Sequence, residues 1–164
     1  MKSVTVTFRL NGEPIESTVD ARMHLVDFLR EQHELSSPRV GCEQGVCGAC
    51  TLRVDGVTVR GCLLLAAQVH GSEVETLEGL NRSGEIADLQ EAFHQRNAMQ
   101  CGYCTSGMLM ACQEYLMSAV SVSRESIRAH LSGNYCRCTG YEAIVDAVEK
   151  VAALRGIPSG EVRR

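Results

Sequence analysis

The sequence lacks any apolar run long enough to cross a lipid bilayer. Its first residues alternate polar with apolar side chains, whereas a signal peptide needs a continuous apolar run. Internal repeats and low-complexity segments are also absent. We therefore expect a cytoplasmic protein with no direct membrane insertion, and export together with a partner that carries a signal stays open.

The sequence also lacks a surplus of positive charge. Its 164 residues carry a formal net charge of −4 at pH 7, and the acidic surplus lies in the first half. A nucleic-acid partner needs a basic face, so we predict none. No nucleophile stands with a base, and no acid and base are paired for proton transfer. We therefore expect no catalytic residue in this chain.

What the chain has in abundance is cysteine, with nine residues. Three of them, Cys42, Cys47 and Cys50, lie within ten positions, and Cys62 follows at a distance. This Cys-x4-Cys-x2-Cys spacing with a distant fourth cysteine is the plant-type arrangement for a [2Fe–2S] cluster. Glycines between these cysteines let the backbone approach the sulfurs closely and point N–H groups at them. The segment therefore predicts a metal loop.

A second set of four cysteines forms two close pairs, Cys101 with Cys104 and Cys136 with Cys138. Each pair lies between two predicted helices. In a bundle with short connections such helix ends can meet, so the four thiolates can bind a second cluster. Since a chain of this length can form two small domains, two clusters would also stabilise two small cores.

The hydrophobic period changes at a group of turn-forming residues between 78 and 84. Before it, alternating segments, an Asn-Gly and an Asp-Gly turn and one helical stripe predict a small α+β domain. After it, a period of about 3.6 predicts four helices in a compact bundle. The predicted strands are 3–10, 13–19, 51–54, 57–60 and 73–76, and the predicted helices are 24–32, 63–69, 85–97, 105–119, 124–131 and a last one after 140.

Three motifs, in this order and at these separations, resemble the small [2Fe–2S] iron–sulfur subunit of the xanthine oxidase family of molybdenum hydroxylases. The resemblance covers nearly the whole chain, and it departs from the family at two positions that are not ligands. Ser106 stands where many members have proline, and Tyr135 stands where an aliphatic residue is usual. The motifs are Gly41-Cys42-x3-Val46-Cys47-Gly48-Ala49-Cys50-Thr51, Gln100-Cys101-Gly102-Tyr103-Cys104-Thr105 and Cys136-Arg137-Cys138-Thr139-Gly140-Tyr141.

The resemblance implies an α+β chain with a plant-type ferredoxin-like (β-grasp) domain followed by a four-helix-bundle [2Fe–2S] domain. We place the first domain at 1–79, the second at 80–156 and a flexible tail at 157–164. The two implied ligand sets are Cys42, Cys47, Cys50 and Cys62 for a distal cluster, and Cys101, Cys104, Cys136 and Cys138 for a proximal one.

The resemblance also implies partners. Family members assemble with a large molybdopterin-binding subunit and with a medium FAD subunit or a cytochrome, in assemblies that can dimerise. Gln100 matches a glutamine that hydrogen-bonds the pterin, and Cys138 matches the cysteine that links the proximal cluster to the pterin edge. The implied function is to relay electrons from the molybdopterin centre through the proximal and then the distal cluster to the acceptor.

Other interpretations of the residues stay open at this point. A zinc-stapled structural protein would also use cysteine pairs, and a freestanding two-cluster ferredoxin would serve soluble partners. A disulfide framework would need an oxidising compartment, and close pairs would strain as bridges. The ninth cysteine, Cys112, lies on an apolar helical stripe, so we interpret it as a buried structural thiol.

Overall fold

The computed structural model describes residues 2–160. It confirms the α+β class, because a five-stranded sheet fills the first half of the chain and helices dominate the second. Within these residues, no helix has both the length and the apolar character needed to cross a membrane. The strands are β1 (Ser3–Leu10), β2 (Glu13–Asp20), β3 (Thr51–Val54), β4 (Val57–Arg60) and β5 (Glu73–Glu75), and the helices are α1 (Leu25–Glu31), α2 (Leu77–Ser83), α3 (Ala87–Gln95), α4 (Thr105–Ser118), α5 (Arg124–His130) and α6 (Glu142–Leu154), with 3₁₀ turns at Ala66–Val69 and Leu131–Gly133.

The sheet has the strand order β2-β1-β5-β3-β4. Its two hairpins turn where the sequence predicts, at Asn11-Gly12 and Asp55-Gly56, and all four residues have positive φ, as a type I′ turn requires. Strand β5 pairs parallel to β1 and antiparallel to β3, so it joins the hairpins into one sheet. Helix α1 packs on this sheet through a buried apolar core that includes Phe8, Phe28 and Leu52.

Helix α4 is the centre of the second half, and it is buried along most of its length. Its side chains join those of α3, α5 and α6 in one apolar core. The predicted cap of α5 is confirmed, because the Ser123 hydroxyl accepts a hydrogen bond from the Ser126 amide at 3.1 Å. The predicted buried thiol, Cys112, is fully enclosed in this core, and burial raises its pKa.

Two predicted segments differ in the structure. The predicted helix at 63–69 is a single 3₁₀ turn at Ala66–Val69, because the residues before it pair with the start of α1, where the Leu25 amide donates to the Leu64 carbonyl at 2.7 Å. The turn-forming stretch at 78–84 is the helix α2, which ends at Gly84 with φ of 79°. Glycine suits position 79 inside this helix, because a Cβ there would lie 2.2 Å from the Asn11 side chain. The domain boundary at 79/80 stays a prediction.

The predicted tail begins beside the turn between α4 and α5. The Val122 amide donates to the Pro158 carbonyl at 2.9 Å, and the Gly160 amide donates to the Val122 carbonyl at 2.8 Å. The remaining tail positions, 161–164, lie outside the described residues. The flexibility of the tail therefore stays a prediction.

The two halves pack against each other where α4 lies on β3 and β4. At one end of this interface Arg53 of β3, only 11% exposed, donates to both carboxylate oxygens of Glu75 at 2.7 and 2.9 Å and of Glu85 at 3.0 Å. Gln113 of α4 also donates to Glu85 at 3.0 Å. The hydrogen bonds from Arg53 hold the pKa of Glu85 below its ordinary value. This polar network links the sheet half to the helical half.

A second polar link joins α2 to the segment before the metal loop. The Glu78 carboxylate accepts hydrogen bonds from the Ser36 and Ser37 amides at 3.0 and 2.8 Å, from the Ser37 hydroxyl, and from the Thr76 hydroxyl at 2.6 Å. Burial acts to raise the pKa of Glu78, but these hydrogen bonds lower it below its ordinary value. Glu78 is therefore an ionised carboxylate that holds the segment before the metal loop in place.

Candidate metal centres

The first group of cysteines lies at the edge of the sheet as two close pairs. The β3–β4 hairpin carries Cys62 back to Cys50, and the Gly61 amide donates to the Cys50 carbonyl at 3.1 Å. The Cys62 thiol lies close enough to Cys50 to act on the Cys50 pKa, and the Cys47 thiol acts on the pKa of Cys42 in the same way. Cys50 and Cys62 are buried, whereas Cys42 and Cys47 are half-buried. One pair thus faces the core and the other faces outward.

The loop backbone points N–H groups at the sulfur of Cys42. Gly45 and Gly48 have φ of 79° and 75°, left-handed conformations that let the loop turn tightly. The Cys47 amide lies 3.4 Å from the Cys42 Sγ, and the amides of Gln44 and Cys47 lower the pKa of Cys42 to about 7. Burial raises the pKa of Cys50 to about 11. Metal binding must therefore displace a proton from the inner thiol, since the thiolate is the ligand.

The second group lies where the ends of α3, α4, α5 and α6 meet, and it also consists of two pairs. The Sγ atoms of Cys101 and Cys138 are 3.6 Å apart, and both residues are exposed. Cys104, directly before α4, lies close enough to Cys136 for that thiol to act on its pKa, and both residues are half-buried. Burial raises the pKa of Cys104 to about 12. The helix ends thus bring together the four cysteines that the sequence pairs only locally.

The turn before α6 orients Cys136. The Thr139 hydroxyl and amide lie 3.1 and 3.4 Å from the Cys136 Sγ, and the Tyr141 hydroxyl accepts a hydrogen bond from the Cys136 amide at 2.8 Å. Burial acts to raise the pKa of Cys136, but the Thr139 contacts lower it below its ordinary value. Tyr141 has φ of 69°, a left-handed conformation that is strained for a residue with a side chain. Thr139 and Tyr141 belong to the third cysteine motif, but the motif by itself does not indicate these contacts.

Both groups fit a two-iron cluster. A tetrahedral metal with bonds of about 2.3 Å to sulfur separates two of its ligands by about 3.8 Å, close to the 3.6 Å between Cys101 and Cys138. Among residues 2–160, no three His, Cys, Asp or Glu side chains converge on a position for one ion. Two pairs of thiolates, one pair on each iron, are what a [2Fe–2S] cluster with four cysteine ligands uses.

Gln100 and Cys138 lie together at the exposed edge of the second group. The Gln100 side-chain amide donates to the Cys138 carbonyl at 3.0 Å, and both residues are exposed. The structure thus places next to each other the two residues predicted to contact the pterin. Neither is enclosed by other parts of the described chain, so this edge can meet another molecule.

Comparisons with known proteins agree with these centres. Residues 4–95 match a family described as a 2Fe-2S iron-sulfur cluster binding domain, and residues 76–149 match a family described as a [2Fe-2S] binding domain. The chain therefore carries two [2Fe–2S] cluster-binding domains.

Similar proteins and structures cover almost the whole chain. Caffeine dehydrogenase subunit gamma of Pseudomonas sp. (strain CBB1) is 43% identical over 164 residues, which cover 98% of each chain. The xanthine dehydrogenase iron-sulfur-binding subunit of Escherichia coli O157:H7 is 40% identical over 149 residues, which cover 90% of this chain and 93% of that protein. The crystal structure of quinoline 2-oxidoreductase from Pseudomonas putida 86 contains a chain that superimposes with a TM-score of 0.87 at 43% identity, over 96% of this chain and 99% of that one.

Proposed function

This chain belongs to the small [2Fe–2S] iron–sulfur subunits of the xanthine oxidase family of molybdenum hydroxylases, and on that premise we propose that it relays electrons and performs no bond chemistry itself. The observation that supports the relay is the presence of two separate groups of four cysteines, one in each half of the chain. Clusters bound there would supply one-electron exchange. Two of them in series would let a two-electron oxidation on a partner leave as single electrons.

The ligands of the proximal cluster are, in this proposal, Cys101, Cys104, Cys136 and Cys138. Its exposed edge, where Gln100 donates to the Cys138 carbonyl, faces the pterin on a large molybdopterin-binding subunit. Gln100 is then free to place its side-chain oxygen toward the pterin, because its nitrogen is held by the carbonyl. Electrons enter the chain at this edge.

The ligands of the distal cluster are Cys42, Cys47, Cys50 and Cys62. Val46 and Leu63 flank this loop and are 47% and 59% exposed. Exposed apolar side chains beside a redox centre suit a contact with a protein acceptor. We propose that electrons leave here for FAD on a medium subunit or for a cytochrome, in a cytoplasmic assembly.

Metal analysis of the purified assembly tests the relay. We expect about four iron and four acid-labile sulfide per chain and two distinguishable paramagnetic signals after reduction. Cys101→Ser should remove one signal and Cys62→Ser the other, because each residue belongs to a different group. A zinc-loaded chain, or a chain that purifies alone without a molybdenum-containing partner, would refute the subunit function.

Gln100→Ala tests the proposed pterin contact. Both clusters should still assemble, because Gln100 is not a ligand, while turnover or molybdenum cofactor content falls. Gln95→Ala is the matched control, since Gln95 is also exposed and lies on α3 away from the cysteines. Equal turnover and cofactor content in both variants would remove Gln100 from the site.

A further inference from the structure

The two cysteine groups meet at a junction of three backbone segments. Gly48 lies between the distal residues Cys47 and Cys50, Gly107 lies in the first turn of α4, and Asn134 lies shortly before Cys136. The Asn134 side-chain amide, in a residue only 3% exposed, donates to the Gly107 carbonyl at 3.0 Å and to the Gly48 carbonyl at 3.2 Å. One side chain therefore joins the loop of one group to the helix and turn that hold the other.

The packing at this junction leaves no room for other side chains. A Cβ on Gly107 would lie 2.1 Å from the Gly48 carbonyl oxygen, and a Cβ on Gly48 would lie 2.6 Å from the Asn134 amide nitrogen. The segments thus touch through their backbones. Because backbone contacts have no rotamers to adjust, the two groups keep one spacing as long as the junction holds.

Hydrogen bonds to its oxygen and from its nitrogen fix the orientation of the Asn134 side-chain amide. Its oxygen accepts a hydrogen bond from Arg60 at 3.1 Å, and Arg60 also donates to the Gly133 carbonyl at 2.8 Å. A flipped amide would set its NH₂ against the Arg60 guanidinium and its oxygen against two carbonyls. A buried group without a partner is costly, so one orientation is strongly favoured.

The residue after Asn134 connects the two groups directly. The Tyr135 amide donates to the Cys47 carbonyl at 2.9 Å, and Tyr135 is covalently bonded to Cys136. A single hydrogen bond therefore completes a route along the backbone from a distal ligand to a proximal one. Asn134 holds the two ends of that route in contact.

We infer that Asn134 is a positioning residue for electron transfer between the two clusters, and that the Tyr135–Cys47 hydrogen bond is part of the route. This inference rests on the proposed function. In the transfer, a cluster held by the group that includes Cys136 would pass one electron to a cluster held by the group that includes Cys47, so the first cluster would be oxidised and the second reduced by one electron. No proton or co-reactant takes part.

Asn134→Asp tests the inference in the cluster-loaded assembly, because it keeps the shape of the side chain and removes the hydrogen bonds that the Asn134 amide donates to Gly48, Thr51 and Gly107. The matched control is Asn11→Asp, which makes the same change of group in the sheet half, where the Asn11 side chain hydrogen-bonds Thr76 and takes no part in the junction. Three quantities are measured: amide hydrogen exchange of the peptide that contains Tyr135, the magnetic interaction between the two reduced clusters, and the rate of transfer between them.

For Asn134→Asp we expect exchange at Tyr135 to accelerate by about tenfold, the magnetic interaction to change, and the transfer to slow by about tenfold. Each cluster should keep its own spectrum, and Asn11→Asp should leave the three quantities near those of the natural chain. The inference is overturned if Asn134→Asp changes none of them, or if Asn11→Asp changes them equally.

Two further measurements apply if Asn134→Asp does not fold or if the proposed function itself is wrong. If Asn134→Asp does not fold, Asn134→Ala removes the same hydrogen bonds without adding charge, and the same outcomes apply to it. Iron analysis of the natural chain separates this inference from the proposed function. Only two iron atoms per chain would refute the relay, whereas about four iron atoms with unchanged coupling in the variant would refute only the role of Asn134.

Discussion

Replacing Arg53 with methionine should weaken the interface between the two halves. The free energy of unfolding should fall by more than the loss of an exposed ion pair would cost. Arg53 is the only cation that contacts both Glu75 and Glu85 among the described residues, and it donates four hydrogen bonds to them. Methionine keeps much of the aliphatic stem. The variant therefore isolates the loss of the guanidinium, which leaves two neighbouring carboxylates without their counter-charge.

The burial of the three side chains sets the size of the effect. Arg53 is 11% exposed, and Glu75 and Glu85 are 28% and 30% exposed. Removing one partner of a buried ion pair costs about 3–5 kcal/mol. Because both carboxylates retain contact with water, we expect the lower end, about 3 kcal/mol. For a chain of this size that corresponds to a Tm about 6–12 °C lower.

Thermal unfolding of the cluster-loaded chain, recorded by circular dichroism at one scan rate, measures this difference. Arg9→Met is the matched control, because Arg9 pairs with Glu73 on the same sheet but is 59% exposed. An exposed pair contributes at most about 1 kcal/mol, so the control should lose about 2–4 °C. Equal losses in the two variants would show that the Arg53 network does not hold the halves together.

The difference in Tm between the natural chain and Arg53→Met should also depend on pH. Arg53 lowers the pKa of Glu85 in the folded chain. The resulting stability is present above the ordinary glutamate pKa and is lost as the pH falls through the lower folded value. The difference in Tm between the natural chain and Arg53→Met should therefore be constant near neutral pH and narrow as the pH falls below about 4. A difference that stays constant well below that pH would contradict the assigned ion pairs.

Three further predictions concern single side chains. Gly107→Ala should destabilise the chain by about 1–3 kcal/mol, although alanine favours helices, because its Cβ would meet the Gly48 carbonyl; denaturant titration measures this. Tyr141→Phe removes the acceptor of the Cys136 amide, so the free energy of unfolding should fall by about 1 kcal/mol, and the reduction potential of one cluster should shift while that of the other stays constant. Glu78→Gln should lower stability at neutral pH and reduce the loss of stability on acidification. The reason is that the lowered pKa of Glu78 contributes stability only at a pH above the ordinary glutamate pKa. Tm measured against pH tests both effects.

The parts of the fold that the sequence predicts are those whose cause is local. Asn11-Gly12 and Asp55-Gly56 require positive φ at both positions, so the two hairpins and their registers follow from the dipeptides. The strand β1 and the two strands of the second hairpin have the predicted bounds. The helix α2 is missed because its glycine and asparagine indicate a turn, whereas a close approach to the Asn11 side chain makes glycine the suitable residue there.

The cysteine pairs illustrate the same limit. Spacing along the chain identifies Cys101 with Cys104 and Cys136 with Cys138 as neighbours, but the structure pairs Cys101 with Cys138 and Cys104 with Cys136 across the helix ends. Which cysteines pair across the helix ends depends on how α3 to α6 pack. Asn134 and Arg53 lack a sequence signal for a similar reason, since each acts through partners that lie far away in the chain.

The interface between the halves bears on the choice between a fixed subunit and a freestanding carrier. The Ser106 hydroxyl donates to the Ser37 carbonyl and so adds a third link beside those of Asn134 and Arg53. These links join the sheet half to the helical half along both ends of α4. A carrier that meets one soluble partner at a time needs only one cluster near its surface. A chain that passes electrons between two clusters, as we propose, needs a constant distance between them, and the buried polar contacts at this interface hold the two halves together.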